Sequence, residues 1–337
     1  MFRNWLVTAA SALVLVAAHP AAAELPDAAT LLAQIGFTPA QIREVEAGKF
    51  VTSTIQPSSE REIVAAFAFL VKESPGELVQ QLRSGLLDKV DPNMLSFQMI
   101  TGAPTLASFA KLTLEPGAQQ RAKAYTSAAP GGDLNLSSDE LASFQALGSG
   151  AAPAAVEQAV RSALLARIQA YQAKGLAGIA AYATAGGKQR SPADELRSAT
   201  QATKALARLV PAAYQYLLDY PASKPPGSEE SFRWSHFMGN GVPTIALTHG
   251  LYIPDGDAWV IVQRQYYVSG GYNAEQAIGG LLPMQTGTLA IYTNRTSTDQ
   301  VTGFGGGAKR SVGSKLLSSQ LLALYQKIQA RAKPGGS

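Results

Sequence analysis

The segment that most constrains the fold is "VPTIALTHGLYIPDGDAWVIVQRQYYVS", residues 242–269. Two runs rich in Val, Ile, Tyr and Trp flank Pro254-Asp255-Gly256-Asp257. β-Branched and aromatic side chains suit a pleated, buried surface, and Pro, Asp and Gly at the junction supply the chemistry of a chain reversal. The segment therefore predicts a long antiparallel hairpin. Two strands alone are marginal in water, so the hairpin requires further strands or covering helices.

Both ends of the chain offer such partners. Residues 50–55 read as a strand, and Ile63, Ala65, Phe67, Phe69 and Val71 alternate along a second. The other face of that second strand is apolar too, which predicts cover on both sides. Ser74-Pro75-Gly76-Glu77 is a capping box that starts a helix carrying Leu78, Val79 and Leu82 inward. "SFQMITG" reads as a further strand and "APTLASF" as a short helix. "GTLAIYTNR" is the last clear strand, and Leu317, Leu321, Leu324 and Ile328 share one face of a closing helix. "NAEQAIGGLL" predicts a short helix before that last strand. At the other end, "PDAATLLAQIG" predicts a helix stopped by Gly36, and Thr38-Pro39-Ala40-Gln41 starts a second that runs to Gly48.

Between these halves, residues 115–225 are Ala-rich and helical in pattern. Ser137 and Glu140 form a capping box; Val156, Val160, Leu164, Ile168 and Tyr171 form a stripe; Ser191-Pro192 opens a helix with Leu196, Ala199, Thr203 and Leu206 inward. Such stripes are packing surfaces. The acidic and polar spacing at "DLNLSSDELASF" is not a calcium loop, because its sixth position is not glycine and its twelfth is Phe144. "YQYLLDYPASKPPGSEES" is a turn-rich exit from the helical region.

The chain opens "MFRNWLVTAASALVLVAAHPAAAELP". A positive n-region at Arg3, an apolar core and Ala21-Ala22-Ala23 predict a secretory leader cleaved after Ala23 and a periplasmic mature protein. The apolar run is shorter than the ~20 residues a membrane span needs. The expected organisation is a leader, 1–23; N-terminal helices and a β-β-α unit, 24–115; a helical insertion, 116–228; and strands with a closing helix, 229–337. With no cysteine, the fold holds together without disulfides. A net charge of +4 is too small and too dispersed for a nucleic-acid footprint.

The order β-β-α, late antiparallel strands and long terminal helix is the plan of a helix-grip fold, an α+β sheet wrapped around its last helix. "EREIVAAFAFLVKESPGELVQQLRSG" and "GTLAIYTNRTSTDQVTGFGGGAKRSVGSKLL" resemble the opening and closing segments of START-like proteins, the superfamily of lipid-transfer domains and polyketide cyclases. "YLLDYPASKPPGSEESFRWSHF", "THGLYI", "QYYVSGGYNAEQAIG" and "NRTSTDQVTGF" resemble an uncharacterised family of exported bacterial proteins. The first resemblance implies a cavity between the sheet and the C-terminal helix that holds a hydrophobic or lipid-like molecule.

Candidate ligand contacts are polar or aromatic residues in apolar strand rows. His249 follows Ile245 and Leu247; Arg264 and Tyr266 share a row with Val260 and Val262; Arg295 follows Leu289 and Ile291. Buried charges need partners, and Asp299, Glu275 and Asp257 are the nearest carboxylates by topology. Tyr292, Trp234 and Trp259 complete the set as cavity or core aromatics. No metal-spaced histidines, cysteine nucleophile or G-x-S-x-G turn occurs, so no catalytic residue, metal or cofactor is assigned. An enzyme of the cyclase or hydrolase kind, with His249 and Asp299 as an acid-base pair, and an envelope protein that meets a partner through its Ala-rich helices are the alternatives. The glycines before Lys309 and Arg310 match no phosphate loop and read as a hinge into the last helix, whose two cations would favour Asp299 or an anionic head group.

Overall fold

A computed structural model describes residues 27–239, 241–303 and 305–331; the expected leader lies outside them. The early elements start where their caps are written. α1 (Ala28–Ile35) begins at Asp27, whose carboxylate accepts from the Thr30 N–H at 2.9 Å, and stops at Gly36 with φ 104°. Capping boxes at Thr38/Gln41 and Ser74/Glu77 start α2 (Pro39–Glu46) and α3 (Pro75–Arg83). Around α3 lie β1 (Val51–Ser53), shorter than expected, β2 (Glu62–Val71), α4 (Leu86–Val90) and β3 (Met94–Ile100). "APTLASF" forms a 3₁₀ turn over Leu106–Phe109.

The central region is α5 (Ala118–Thr126), α6 (Ser138–Ala146), α7 (Pro153–Lys174), a small ribbon of β4 (Tyr182–Ala183) and β5 (Gln189–Arg190), then α8 (Pro192–Ala202), α9 (Lys204–Leu209) and α10 (Pro211–Asp219). After α7 the chain reverses against α10 at Gly175. Its φ is 56°, and a Cβ there would lie 1.7 Å from the Tyr220 carbonyl oxygen, so only glycine fits.

Five long strands follow: β6 (Glu229–Gly239), β7 (Val242–Asp255), β8 (Ala258–Val268), β9 (Ala274–Met284) and β10 (Gly287–Ser297), with α11 (Gly306–Arg331) closing the chain. They join the early strands in one eight-stranded antiparallel sheet of order β1-β2-β10-β9-β8-β7-β6-β3. The protein is α+β. The hairpin turns at Gly256 and Asp257, within the turn the sequence predicts.

"NAEQAIGGLL" is not a helix. It forms most of β9, a central strand paired with β8 on one side and β10 on the other. Its Ala, Glu and Gln favour a helix locally, but two ladders of backbone hydrogen bonds and burial between neighbours outweigh that preference.

The register assigns side chains to the two faces. His249 pairs with Phe232 and Arg264, Arg264 with Gln276, and Gln276 with Arg295, so these five share a face. That face is covered by the central helices through a cluster including Val156, Leu164, Tyr171, Leu196, Leu217, Trp234 and Val262, and by α1 and α2 through Leu31, Leu32, Phe37 and Ile42. A bulge between Leu247 and Thr248 leaves Tyr266 as the extra residue of β8, so adjacent Tyr266 and Tyr267 both join the helical core. On the opposite face, α3 packs Leu78 and Val79 on Tyr252, Ile261, Leu281 and Ala290. α4 lies there too, holding Arg233 through Asp88, and α11 crosses Ile63 at Gly313.

Candidate functional site

Four of the eight predicted residues meet on the covered face. Trp234, His249, Arg264 and Tyr266 are each at most 1 % exposed. Phe232 stacks on the His249 ring at 4.5 Å, Tyr266 stacks on Tyr171 at 4.0 Å, and Tyr220 closes the other side of His249 at 4.6 Å. His249 Nδ1 lies 3.0 Å from the Tyr171 hydroxyl, and Nε2 lies 3.4 Å from Glu230 without a well-aligned hydrogen bond. Burial pushes His249 down to about 4, against the pull of Glu230, so the ring is neutral at pH 7. Glu230 is held down at about 2: burial opposes its charge, but His249, the Tyr216 hydroxyl at 2.5 Å and Lys224 outweigh that cost.

Among the described residues, Arg264 has no carboxylate partner. Its guanidinium donates to Gln276 Oε1 at 2.8 and 3.1 Å, to the Leu217 carbonyl at 2.9 Å and to the Thr200 hydroxyl at 3.3 Å. These bonds tie α8 and α10 to the middle of the sheet. Trp234 donates its indole N–H to the Ser108 carbonyl at 2.8 Å. The four residues thus form a dense polar and aromatic clamp between sheet and helices.

The expected partners of the other charged candidates differ. Arg295, 8 % exposed, pairs with Glu62 of β2 at 2.7 Å rather than with Asp299, Glu275 or Asp257. Asp299 is far from His249 and half-exposed; it accepts from Arg61 at 2.8 Å and from Arg190 at 3.0 Å, fastening β5 beside the start of β2. The expected His249–Asp299 acid-base pair does not form, because β6 supplies Glu230 beside the histidine. At the start of α11, Arg310 donates to the Glu60 carbonyl at 2.9 Å, so a backbone oxygen takes the place predicted for an anion.

Trp259 pairs with Leu281 and packs in the α3-side cluster, and its stretch of β8 borders, on the other side of the sheet, an apolar pocket of about 110 Å³. Leu31 and Ile35 of α1, Leu206 and Leu209 of α9, and Val260, Ile278, Leu282 and Ile291 of the sheet form its walls. Thr203, Asp255 and Thr293 are its polar groups. It lies on the face of the sheet opposite α11, whereas the resemblance implied a cavity beneath the C-terminal helix. Gly280, which has no side chain to fill the space, is among its lining residues between α1, α9 and the sheet.

Tyr292 faces the other way, beneath α3, α4 and α11, with its ring stacked on Phe67 at 4.6 Å. Around it the middle of the sheet is polar. Glu275 accepts from Thr296 at 3.0 Å and from Gln265 at 3.4 Å; Tyr272 donates to Gln265; Thr296 and Asn294 bond at 2.8 Å; and Asn294 reaches the Tyr292 hydroxyl at 3.4 Å. Burial pushes the Glu275 carboxyl up, against hydrogen bonds from Asn294 and Thr296. This row was missed in the sequence. Gln263 and Gln265 alternate with Val262 and Arg264, and Glu275 with Gln276, so period two contained the signal, but polar residues read as the solvent side.

Among the described residues, no group of three or more His, Cys, Asp or Glu side chains could hold a metal ion, and no helix is long and apolar enough to cross a membrane. Comparison of the chain with protein-family models, with curated proteins and with solved structures finds no match.

Proposed function

We propose that this is an exported protein that binds a small apolar molecule in the pocket between α1, α9 and strands β8–β10, on a sheet of helix-grip type. The pocket carries the reading: its walls are Leu, Ile and Val from three separate parts of the chain, and its volume is many times that of one water. Burying an apolar ligand there is favoured by about 25 cal/mol per Å² removed from water. The secretory pattern before Ala23 supports a periplasmic setting. Catalysis at His249 is disfavoured by an imidazole enclosed among Phe232, Tyr171 and Tyr220.

The test is mass spectrometry of organic extracts from protein purified without detergent, beside an Ala205→Trp variant. Ala205 lines the pocket and is half-buried, so an indole there fills the space without entering the packed core. A stoichiometric apolar compound present in the wild type and absent from the folded variant supports the proposal. Wild-type protein that is empty and takes up no apolar fluorophore refutes it.

A further inference from the structure

We infer that the apolar pocket takes a small unbranched alcohol rather than an acid, its hydroxyl donating to the Asp255 carboxylate while its chain lies along β8 toward Thr293. This rests on the proposed pocket and names the chemistry of its occupant. Three features of the lining converge on it.

The polar side chains that face the pocket are acceptors. Thr203 donates its hydroxyl to the Ala199 carbonyl at 3.0 Å, and Thr293 donates to the Ile278 carbonyl at 3.3 Å. Both protons are spent on backbone oxygens, so each threonine has only lone pairs left for a ligand. Asp255 is the third polar group, and an ionised carboxyl only accepts. The Trp259 indole packs on the α3 side of the sheet. A ligand that satisfies such a lining brings its own O–H.

Asp255 is placed to receive that proton. Alternation along β7 puts it on the same face as Ile253, and it pairs with Ala258, which packs in one cluster with Leu31, Leu209 and Leu282. Among the described residues that line the pocket, it is the one charged side chain. Burial raises its carboxyl above the ordinary value, because water is partly withdrawn from it. A charge-assisted O–H bond replaces the water that burial removes. An acid would set a second negative charge beside the first, and the two would repel. A purely apolar occupant would desolvate the carboxylate further and return nothing.

The pocket is long and narrow. Asp255 and Ala258 form one end of the lining. Two residues further along β8, Val260, Gly280 and Ile291 form the next cross-strand row, with no side chain at Gly280. Two residues beyond, level with Val262, Ile278 and Thr293 form the last. Four residues of strand span about 13 Å. A slot of about 110 Å³ stretched over that length accommodates an extended chain in preference to a fused ring system. Leu206 and Leu209 of α9 close it from above.

Titration calorimetry at neutral pH with 1-hexanol, dipropyl ether and hexanoate tests the assignment on wild-type protein. The ether is an isomer of the alcohol with no O–H. The expected result is hexanol binding at least about tenfold tighter than that of either of the others. In Asp255→Ala the hexanol should weaken about tenfold, the ether should stay unchanged and hexanoate should gain. Ala205→Trp should abolish hexanol binding. Ether or hexanoate binding as tight as hexanol, or full hexanol affinity in folded Asp255→Ala or Ala205→Trp, overturns the assignment. Equal binding of ether and alcohol, lost in Ala205→Trp, sinks the alcohol and leaves the apolar pocket standing. No binding of any of the three at millimolar concentration overturns both. The comparison of the two isomers decides the matter even if the variants fail to fold.

Discussion

Acidification from pH 7 to about 4.5 removes stability through two buried histidines, by an amount that follows from their surroundings. Burial pushes His249 down to about 4, and Arg264 and Lys224 add to the shift against Glu230. Burial and the Arg121 guanidinium, 2.7 Å away, push His236 to about 4 as well. In the unfolded chain both rings titrate near 6.5. Between those values the unfolded state holds the extra proton, so stability is fully present above the unfolded value and falls as pH drops toward 4. Integration gives about 2–3 kcal/mol per histidine at pH 4.5, on the order of 5 kcal/mol for the pair. A domain stable by 5–15 kcal/mol would lose a large part of its margin.

Carboxyls act differently in this window. The contribution of Glu230, held low, disappears only below its unfolded value of 4.5, whereas Glu195 and Glu275, both raised by burial, gain from acidification. Glu195 and Glu275 act alike in the wild type and a His236→Gln/His249→Gln variant and cancel between them, and Glu230, whose low value His249 helps to set, contributes only below the pH range compared. Urea unfolding followed by tryptophan fluorescence at the two pH values is the assay. The wild type should lose about 5 kcal/mol more than the double variant. Equal losses would refute the account of both imidazoles as neutral, buried groups.

Two further substitutions separate the clamp from the periphery. Arg264→Leu leaves Gln276 Oε1 and the Leu217 carbonyl without their buried donor, and should cost about 2–4 kcal/mol in urea unfolding, with α8 and α10 losing amide-exchange protection first. Asp299→Asn breaks a half-exposed link to Arg61 and Arg190; the expected change is below ~1 kcal/mol, and it shrinks further at high salt.

Much of the local structure is determined by residues a few positions apart, which is why it was legible. Thr38 with Gln41, Ser74 with Glu77 and Ser137 with Glu140 satisfy orphan N–H groups within one turn, and each starts its helix as read. Gly256 and Asp257 reverse the hairpin within two residues, and the stripe from Val156 to Tyr171 is buried as its spacing implies. Period two also placed His249, Arg264 and Arg295 in apolar rows. For α11, the expected Leu321, Leu324 and Ile328 side chains lie outside the described residues, while Leu317 is half-buried.

Only the tertiary structure decided what those rows face. Alternation distinguishes two sides of a strand but cannot say which is covered, because that depends on where distant helices land. Here the central helices cover the His249 face, so the strand histidine and arginine pack as a clamp between sheet and helices. Ladders on both sides likewise turned "NAEQAIGGLL" from an apparent helix into central β9. Partners across the fold, Glu230 for His249 and Glu62 for Arg295, are set by strand register between segments far apart in sequence. Caps, turns and stripes act within a few residues and are written in the chain; the choice of buried face, ion-pair partner and pocket depends on contacts that exist only once the sheet has closed.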